Sequence, residues 1–207
     1  MEEQDIQPRS SEDVIVAVVI ELLETEGYDA VQVRTVARRA RVSLATMYRF
    51  FPTRDELVVV ALMRWMDANV YSHLVHPAPD SSLHDGLMSL YRQLFEPWVR
   101  HPRVLEAYHR ARSVPGGEHL DAQGLAVMRP IANDVMATAD PAYVEDLGLI
   151  LNHIFYAVIG RFADGQLAIT DILTVLDRTL FRLTSDNVSA ALTKGESTVA
   201  LRGRAHD

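Results

Sequence analysis

The 207-residue sequence contains no cysteine, which excludes disulfides, a thiol nucleophile and thiolate metal ligands. It also has almost no lysine, since Lys194 is the only one and the remaining basic residues are arginines. The apolar run "VIVAVVIELL" is cut by Glu21 and is too short to cross a bilayer, and the N-terminal residues lack the apolar segment of a signal peptide. These absences predict a cytoplasmic protein with no membrane partner.

The motifs of common catalytic sites are missing as well. We find no GxSxG, no P-loop, no GxGxxG and no HExxH in the sequence. His73 and His76 are three residues apart, but no further ligand accompanies them, so solvated or capping histidines are the better interpretation. The sequence therefore predicts no enzyme, no metal site and no cofactor.

Apolar residues recur at helical spacing along most of the chain, and no segment alternates with the period of a strand. Ser10 with Asp13 resembles a capping box before the first helix, and Thr53 with Glu56 marks another helix start. This pattern predicts an all-α fold. The predicted helices cover residues 11–26, 34–40, 44–50, 53–72, 83–100, 102–113, 119–138, 141–164 and 169–185.

An arginine cluster stands out because the whole chain has a formal net charge of −8. Residues 31–54 contain no Asp or Glu but six arginines: Arg34, Arg38, Arg39, Arg41, Arg49 and Arg54. Two short helices here share an apolar side, formed by Val36, Ala37, Ala40, Met47, Phe50 and Phe51 around the turn at Val42. That spacing predicts a helix-turn-helix with its arginines facing outward, where they suit a DNA phosphate backbone. An arginine-rich helix is also commonly just a solvated face.

The segment "YDAVQVRTVARRARVSLATMYRFFPTRDELVVVAL" (28–62) resembles the DNA-binding domain of the TetR family of transcriptional regulators. Within that family it looks most like the repressors of steroid (cholesterol) catabolism. The resemblance implies a helix-turn-helix at 32–51 with its recognition helix at 44–50. It also implies a homodimer bound to double-stranded DNA. From the residues and the resemblance together, the predicted DNA-binding residues are Arg34, Thr35, Ser43, Leu44, Ala45, Thr46, Tyr48, Arg49 and Arg54.

Three residues depart from the family pattern. Gln32 stands where a capping Thr or Ser is common, and Ala45 stands where glycine often lets the backbone approach DNA. Arg41 replaces a common turn glycine, so a positive φ at this position would be strained.

The predicted organisation is a three-helix DNA-binding domain followed by a larger helical domain for ligand binding and dimerisation. Residues 1–10 would form a flexible N-terminal arm, 11–52 the helix-turn-helix domain, 53–185 the helical domain, and 186–207 a polar tail. Residues 53–72 would be a helix connecting the two domains.

Aromatic and methionine side chains at helical spacing predict a pocket for a small hydrophobic effector in the helical domain. The same stripes are commonly plain core. The predicted ligand-binding residues are Trp65, Leu87, Tyr91, Phe95, Trp98, Tyr108, Met128, Phe155 and Tyr156. The subgroup resemblance implies a steroid or its CoA thioester, with Arg110, Arg112 or Arg161 as the anion partner.

The last two long helices carry apolar faces that could form a four-helix interface between subunits. The same faces could instead pack within one subunit. The predicted dimer-interface residues are Leu147, Ile150, Leu151, Ile154, Val158, Ile172, Leu176 and Leu180.

We therefore expect a regulator, most simply a repressor that a hydrophobic effector releases from an inverted-repeat operator. Two alternatives stay open: a helical small-molecule carrier or enzyme that retains the N-terminal fold, and a protein-interaction adaptor. Neither alternative needs six arginines free of acidic neighbours.

Overall fold

A computed structural model describes residues 10–185 of the chain. Across these residues it has nine α-helices and no strand, so the predicted all-α class is confirmed. The predicted polar tail lies outside the described residues, as does the predicted arm apart from Ser10. The helices are α1 (Ser11–Thr25), α2 (Val33–Ala40), α3 (Leu44–Phe50), α4 (Arg54–Asn69), α5 (Leu83–Arg100), α6 (Pro102–Ala111), α7 (Glu118–Val135), α8 (Pro141–Ala163) and α9 (Ile172–Ser185).

The described chain divides into two compact units. The first contains residues 10–72 and 100–124, and the second contains residues 73–99 and 125–185. The structural division therefore differs from the predicted boundary at residue 52. The reason is that α4 does more than connect: it packs against α1 and α6 and buries residues along most of its length.

The first unit begins with the predicted capping box. The Ser10 hydroxyl accepts from the Asp13 backbone N–H at 3.1 Å, and the Asp13 carboxylate accepts from the Ser10 backbone N–H at 3.3 Å. Arg64 of α4 pairs with this carboxylate and with Glu12, so α4 is tied to the start of α1. The hydrogen bonds from Ser10 and Arg64 hold the pKa of Asp13 below its usual value. The buried face of α1 is Ile15, Val16, Val19, Leu22 and Leu23.

Within the first unit, the start of helix α6 is held against α1 and α4. The buried indole of Trp65 donates from Nε1 to a Glu24 carboxylate oxygen at 2.8 Å. The Nδ1 atom of His101, which precedes α6, lies 3.4 Å from the same oxygen, and its ring meets the Trp65 ring edge-on at 5.6 Å. One carboxylate of α1 thus links α4 to the beginning of α6.

The second unit contains most of α5, the remainder of α7, and helices α8 and α9. The Asp140 side chain caps α8 by accepting from the backbone N–H of Ala142 at 2.9 Å. The Tyr143 hydroxyl donates to the Leu183 carbonyl at 3.1 Å, so the start of α8 is fastened to the end of α9. This contact fixes α8 and α9 as a packed pair.

Candidate nucleic-acid interface

Helices α2 and α3 form the predicted helix-turn-helix, closed by a strained turn. Val36, Ala37, Ala40 and Met47 are buried between the helices and their neighbours. The turn passes through Arg41, which has φ 55° and ψ 39°. Arg41 is the only non-glycine residue with positive φ among residues 10–185, as its place in the turn predicted. A left-handed conformation costs a non-glycine residue about 1–2 kcal/mol, so this position would accept glycine readily.

The polar side chains at the start of α3 form hydrogen bonds with each other and with the backbone of the helix. The Ser43 hydroxyl accepts from the Thr46 backbone N–H at 3.0 Å, so Ser43 is the N-terminal cap of α3. The Thr46 hydroxyl lies 2.9 Å from the Ser43 hydroxyl, so the two side chains are hydrogen-bonded to each other. Leu44 is 40% exposed and Tyr48 is 54% exposed, and Ala45 also faces solvent. The outward surface of α3 is therefore partly apolar.

Four of the six clustered arginines are exposed and have no acidic partner among residues 10–185. They are Arg34, Arg38, Arg41 and Arg49. The Arg49 guanidinium lies 4.8 Å from the centre of the Phe50 ring. Arg39 is different, because it pairs with Glu26 at 2.6 Å. The predicted cationic surface around α3 is thus carried by four side chains.

Arg54 has a structural role that the sequence prediction did not include. Its Nε donates to the Val31 carbonyl at 2.6 Å, and its Nη2 donates to the Tyr28 carbonyl at 2.7 Å. The guanidinium also lies over the Tyr28 ring, 4.3 Å from its centre. These contacts anchor the first turn of α4 to the segment before α2, so the guanidinium is mostly committed within the fold.

A second arginine uses the same tyrosine. The Arg110 guanidinium of α6 also lies 4.3 Å from the centre of the Tyr28 ring. It donates two hydrogen bonds, of 2.8 and 2.9 Å, to the Asp29 carboxylate. This contact holds the pKa of Asp29 below its usual value. Tyr28 is buried, so it joins α4 and α6 to the DNA-binding helices.

Comparisons with known proteins match both parts of this architecture. Residues 15–61 match the family model described as bacterial regulatory proteins of the tetR family, and residues 81–183 match the tetracyclin repressor-like C-terminal domain. The chain belongs to the TetR family. TetR-family proteins are DNA-binding transcriptional regulators rather than enzymes.

Individual relatives of this TetR-family chain agree with the assignment. It is 26% identical over 178 residues to the HTH-type transcriptional repressor KstR of Rhodococcus jostii, which covers 83% of this chain and 82% of the relative. The repressor KstR of Mycolicibacterium smegmatis is 55% identical over 38 residues, which is 18% of this chain and 19% of the relative. A crystal structure of a TetR regulator from Rhodococcus sp. RHA1 has a TM-score of 0.65 and 24% identity over 88% of this chain and 97% of its own.

The TetR-type C-terminal domain contains an aromatic cluster in the second unit. Phe95 lies 5.3 Å from Trp98 and 5.6 Å from Phe155, measured between ring centres, and Phe155 lies 5.0 Å from Tyr156. Tyr91 stacks on Phe95 at 6.4 Å, and its hydroxyl donates to the Leu151 carbonyl at 3.3 Å. Burial raises the pKa of the Tyr91 hydroxyl. These five side chains are called the aromatic cluster below.

The other predicted ligand-binding residues have different surroundings. Trp65 and Tyr108 belong to the first unit, where both are buried. Leu87 is buried in the second unit, and Met128 is half-buried there. Two predicted anion partners already have carboxylates: Arg110 holds Asp29, and Arg112 holds Asp121 with bonds of 2.7 and 3.0 Å. Because an anionic effector would have to displace those carboxylates, neither arginine suits that role, whereas Arg161 is exposed.

Most of the predicted dimer residues are instead core of a single subunit, which corrects the prediction. Six of them are buried within the chain: Leu147, Leu151, Val158, Ile172, Leu176 and Leu180. Ile154 is half-buried, and only Ile150 is exposed, at 40%. The physical reason is that these side chains are covered within the chain itself, where α8 and α9 contact each other, as the alternative interpretation allowed.

The exposed apolar residues of α8 and α9 lie elsewhere on the two helices. Leu149 is 61% exposed and Phe181 is 59% exposed, and sequence analysis selected neither. In the described part of the chain, α8 is also the one helix long and apolar enough to cross a bilayer. A helix that is apolar on more than one side gives no unique periodic face, so the periodicity could not separate its core side from its exposed side.

Proposed function

We propose that this TetR-family protein is a homodimeric, cytoplasmic repressor that leaves an inverted-repeat operator when a hydrophobic effector binds. The observation that supports this most directly is the cationic surface around α3. It presents four arginines without acidic partners in residues 10–185, on a chain whose formal net charge is −8. Negative charge elsewhere would repel DNA from other faces and orient its approach.

We assign phosphate contacts to Arg34, Arg49 and the Tyr48 hydroxyl, which are exposed; Ser43 is exposed as well, but its hydroxyl caps α3. Arg38 and Arg41 add positive charge beside them. Arg54, whose contacts lie within the fold, is assigned to holding α4 in place. With Arg34 and Arg49 from both subunits, a dimer would neutralise on the order of four phosphates, and the logarithm of its DNA affinity would fall with the logarithm of salt concentration at a slope of about −4.

The exposed apolar side chains of Leu149, Ile150 and Phe181 support a second copy of the chain as the dimer partner. Exposed apolar side chains of this size on two packed helices are typical of surfaces that become buried in assemblies. The dimer would bring two recognition helices to half-sites about 34–36 Å apart, or a multiple of that spacing.

The aromatic cluster supports a hydrophobic effector, because aromatic side chains line apolar ligand pockets well. The sequence resemblance favours a steroid or a CoA thioester of one. By contrast, a helical carrier or an adaptor protein would have no use for the arginines around α3.

A gel-shift assay with genomic fragments tests the DNA-binding proposal. We expect selective retardation of fragments that carry an inverted repeat, and weaker binding at higher salt with the slope given above. Arg34→Ala should reduce that slope by about two, because a dimer loses two phosphate contacts. Arg129→Ala is the matched control, since Arg129 is an exposed arginine of α7, outside the proposed DNA-binding and dimer residues. Binding that does not depend on salt would exclude the proposed role of the cluster.

A further inference from the structure

We propose that Leu44 reads the 5-methyl groups of thymines in the operator, and is thereby a specificity-determining residue of the DNA-binding surface. This inference rests on the proposed function. It goes further by naming the chemical group that α3 recognises.

The first argument is the state of the hydroxyl groups beside Leu44. Ser43 caps α3 by accepting from the Thr46 backbone N–H, and the Ser43 and Thr46 hydroxyls lie 2.9 Å apart. Both hydroxyls therefore serve the local structure of the turn. Side chains that already hydrogen-bond each other are poorly placed to read donors and acceptors on base edges.

The second argument is the exposure of Leu44 itself. Met47 in the middle of α3 is 1% exposed, Phe50 at its end is half-buried, and Phe51, which follows the helix, is 5% exposed. Leu44 is 40% exposed and lies four residues before Tyr48, so the two side chains share one face of the helix. The methyl of Ala45, which is also exposed, adds to the apolar surface.

The third argument is the charge that surrounds this apolar face. Arg41 lies three residues before Leu44, and Arg49 directly follows Tyr48. Both arginines are exposed. Arginines that contact phosphates fix the position of a helix over the groove without reading sequence. The side chains between them then meet the base edges, and here the most prominent of those is an isobutyl group.

The chemistry of the groove identifies the ligand of that group. The thymine 5-methyl is the apolar group on the major-groove edge of the bases. Removing one methyl from contact with an apolar side chain lowers affinity about fourfold, which is the effect of exposing one CH₂-sized group. A symmetric dimer that loses one such contact in each half-site should bind about fifteenfold more weakly.

Deoxyuridine substitution tests the proposal, because deoxyuridine pairs like thymidine but lacks the methyl. The operator is first obtained by selecting random duplexes on the full-length protein. Each thymine is then replaced by deoxyuridine, singly and symmetrically, and the dissociation constants are measured for the wild type, Leu44→Ala and Leu125→Ala. Leu125 is the matched control, as a leucine of α7 that is 42% exposed.

We expect at least one thymine per half-site at which deoxyuridine weakens binding by the wild type and by Leu125→Ala. Leu44→Ala should bind the thymine and deoxyuridine operators equally at that position. It should also melt at the wild-type temperature, because the side chain is exposed. Equal losses for all three proteins would overturn the assignment to Leu44, and no loss at any thymine would overturn methyl readout altogether. After either of these two negative outcomes, selective binding of the unmodified operator would still support the proposed function. If no DNA sequence could be selected at all, the methyl-readout proposal and the proposed function would both be wrong.

Discussion

At the scale of single residues, Arg41 is expected to lower the stability of the fold while it strengthens DNA binding. Its left-handed backbone is unfavourable for any side chain, yet its guanidinium adds to the cationic surface. We expect Arg41→Gly to stabilise the fold by about 0.5–1 kcal/mol, which is the strain relieved less the added freedom of glycine in the unfolded chain. The same variant should bind DNA more weakly. Thermal unfolding measures the expected gain in stability, and gel shifts of the same protein sample measure the expected loss of DNA affinity. A melting temperature below that of the wild type would contradict the strain argument.

A second residue-scale prediction separates Arg54 from the arginines that face solvent. Arg54→Ala removes two charge-assisted hydrogen bonds to backbone carbonyls, so it should cost about 2 kcal/mol and lower the melting temperature by about 4–8 °C. The salt dependence of DNA binding should stay close to that of the wild type. Arg49→Ala is the comparison: it should flatten the salt dependence while leaving the melting temperature unchanged. If Arg54→Ala instead flattened the salt slope at wild-type stability, Arg54 would be a phosphate contact.

At the scale of helices, the attachment of α6 through Arg110 and Asp29 predicts a pH dependence. The pKa of Asp29 is lower in the folded protein than in the unfolded chain, so the folded state favours the ionised carboxylate. The contribution of the Asp29 carboxylate to folding stability is therefore complete above its pKa in the unfolded chain, which is near 4. That contribution is lost as the pH falls below this value. The stability of Asp29→Asn in urea unfolding should differ from that of the wild type at pH 7, and the difference should narrow as the pH falls below about 4.

Two further variants control for this result. Asp80→Asn removes an exposed carboxylate that has no ion pair among the described residues, and should show no such narrowing. The exchanged pair Asp29→Arg with Arg110→Asp should recover stability that either single change loses. A double variant no more stable than the singles would show that the contact contributes nothing.

Helix positions were the most predictable part of this protein, whereas side-chain partners were the least. Caps such as Ser10 and Thr53 are local signals, and both appear in the structure as predicted. The partner of Arg54 could not be predicted, because the Val31 and Tyr28 carbonyls lie 23 and 26 residues away in the chain. The same limit applied to α8, whose apolar residues cover more than one side. Periodicity identifies an apolar face, but only three-dimensional packing shows what covers it.

At the scale of the whole molecule, the exposed apolar side chains of α8 and α9 predict the effect of preventing dimerisation. Leu149→Glu places a charge in the proposed interface and should yield a monomer by light scattering. Its operator affinity should fall on the order of a hundredfold or more, because the second half-site no longer binds as part of the same particle. Leu125→Glu is the control, with similar exposure on α7. A dimeric Leu149→Glu would place the interface elsewhere.

The proposed effector class predicts a response of the whole protein to ligands. A hydrophobic effector at a hundred times its dissociation constant should stabilise the protein by about 2.7 kcal/mol, which a thermal-shift panel would detect. The panel compares steroids, steroid CoA thioesters, fatty acyl-CoAs and aromatic acids. Release from the operator by a factor of ten requires about 1.4 kcal/mol of coupling between the two sites. If a small polar metabolite alone released the operator, the effector would not be hydrophobic.

The division of the chain into interleaved units also governs how the protein is made. Because the first unit includes residues 100–124, its packing cannot be completed until more than half of the chain has left the ribosome. At about 5–20 residues per second, the helix-turn-helix waits several seconds for α6 after its own residues have emerged. DNA-binding activity should therefore appear late in synthesis. A chain that stops at residue 72 would leave exposed the apolar surface that α6 normally covers, which makes it a substrate for chaperones and proteases rather than a miniature repressor.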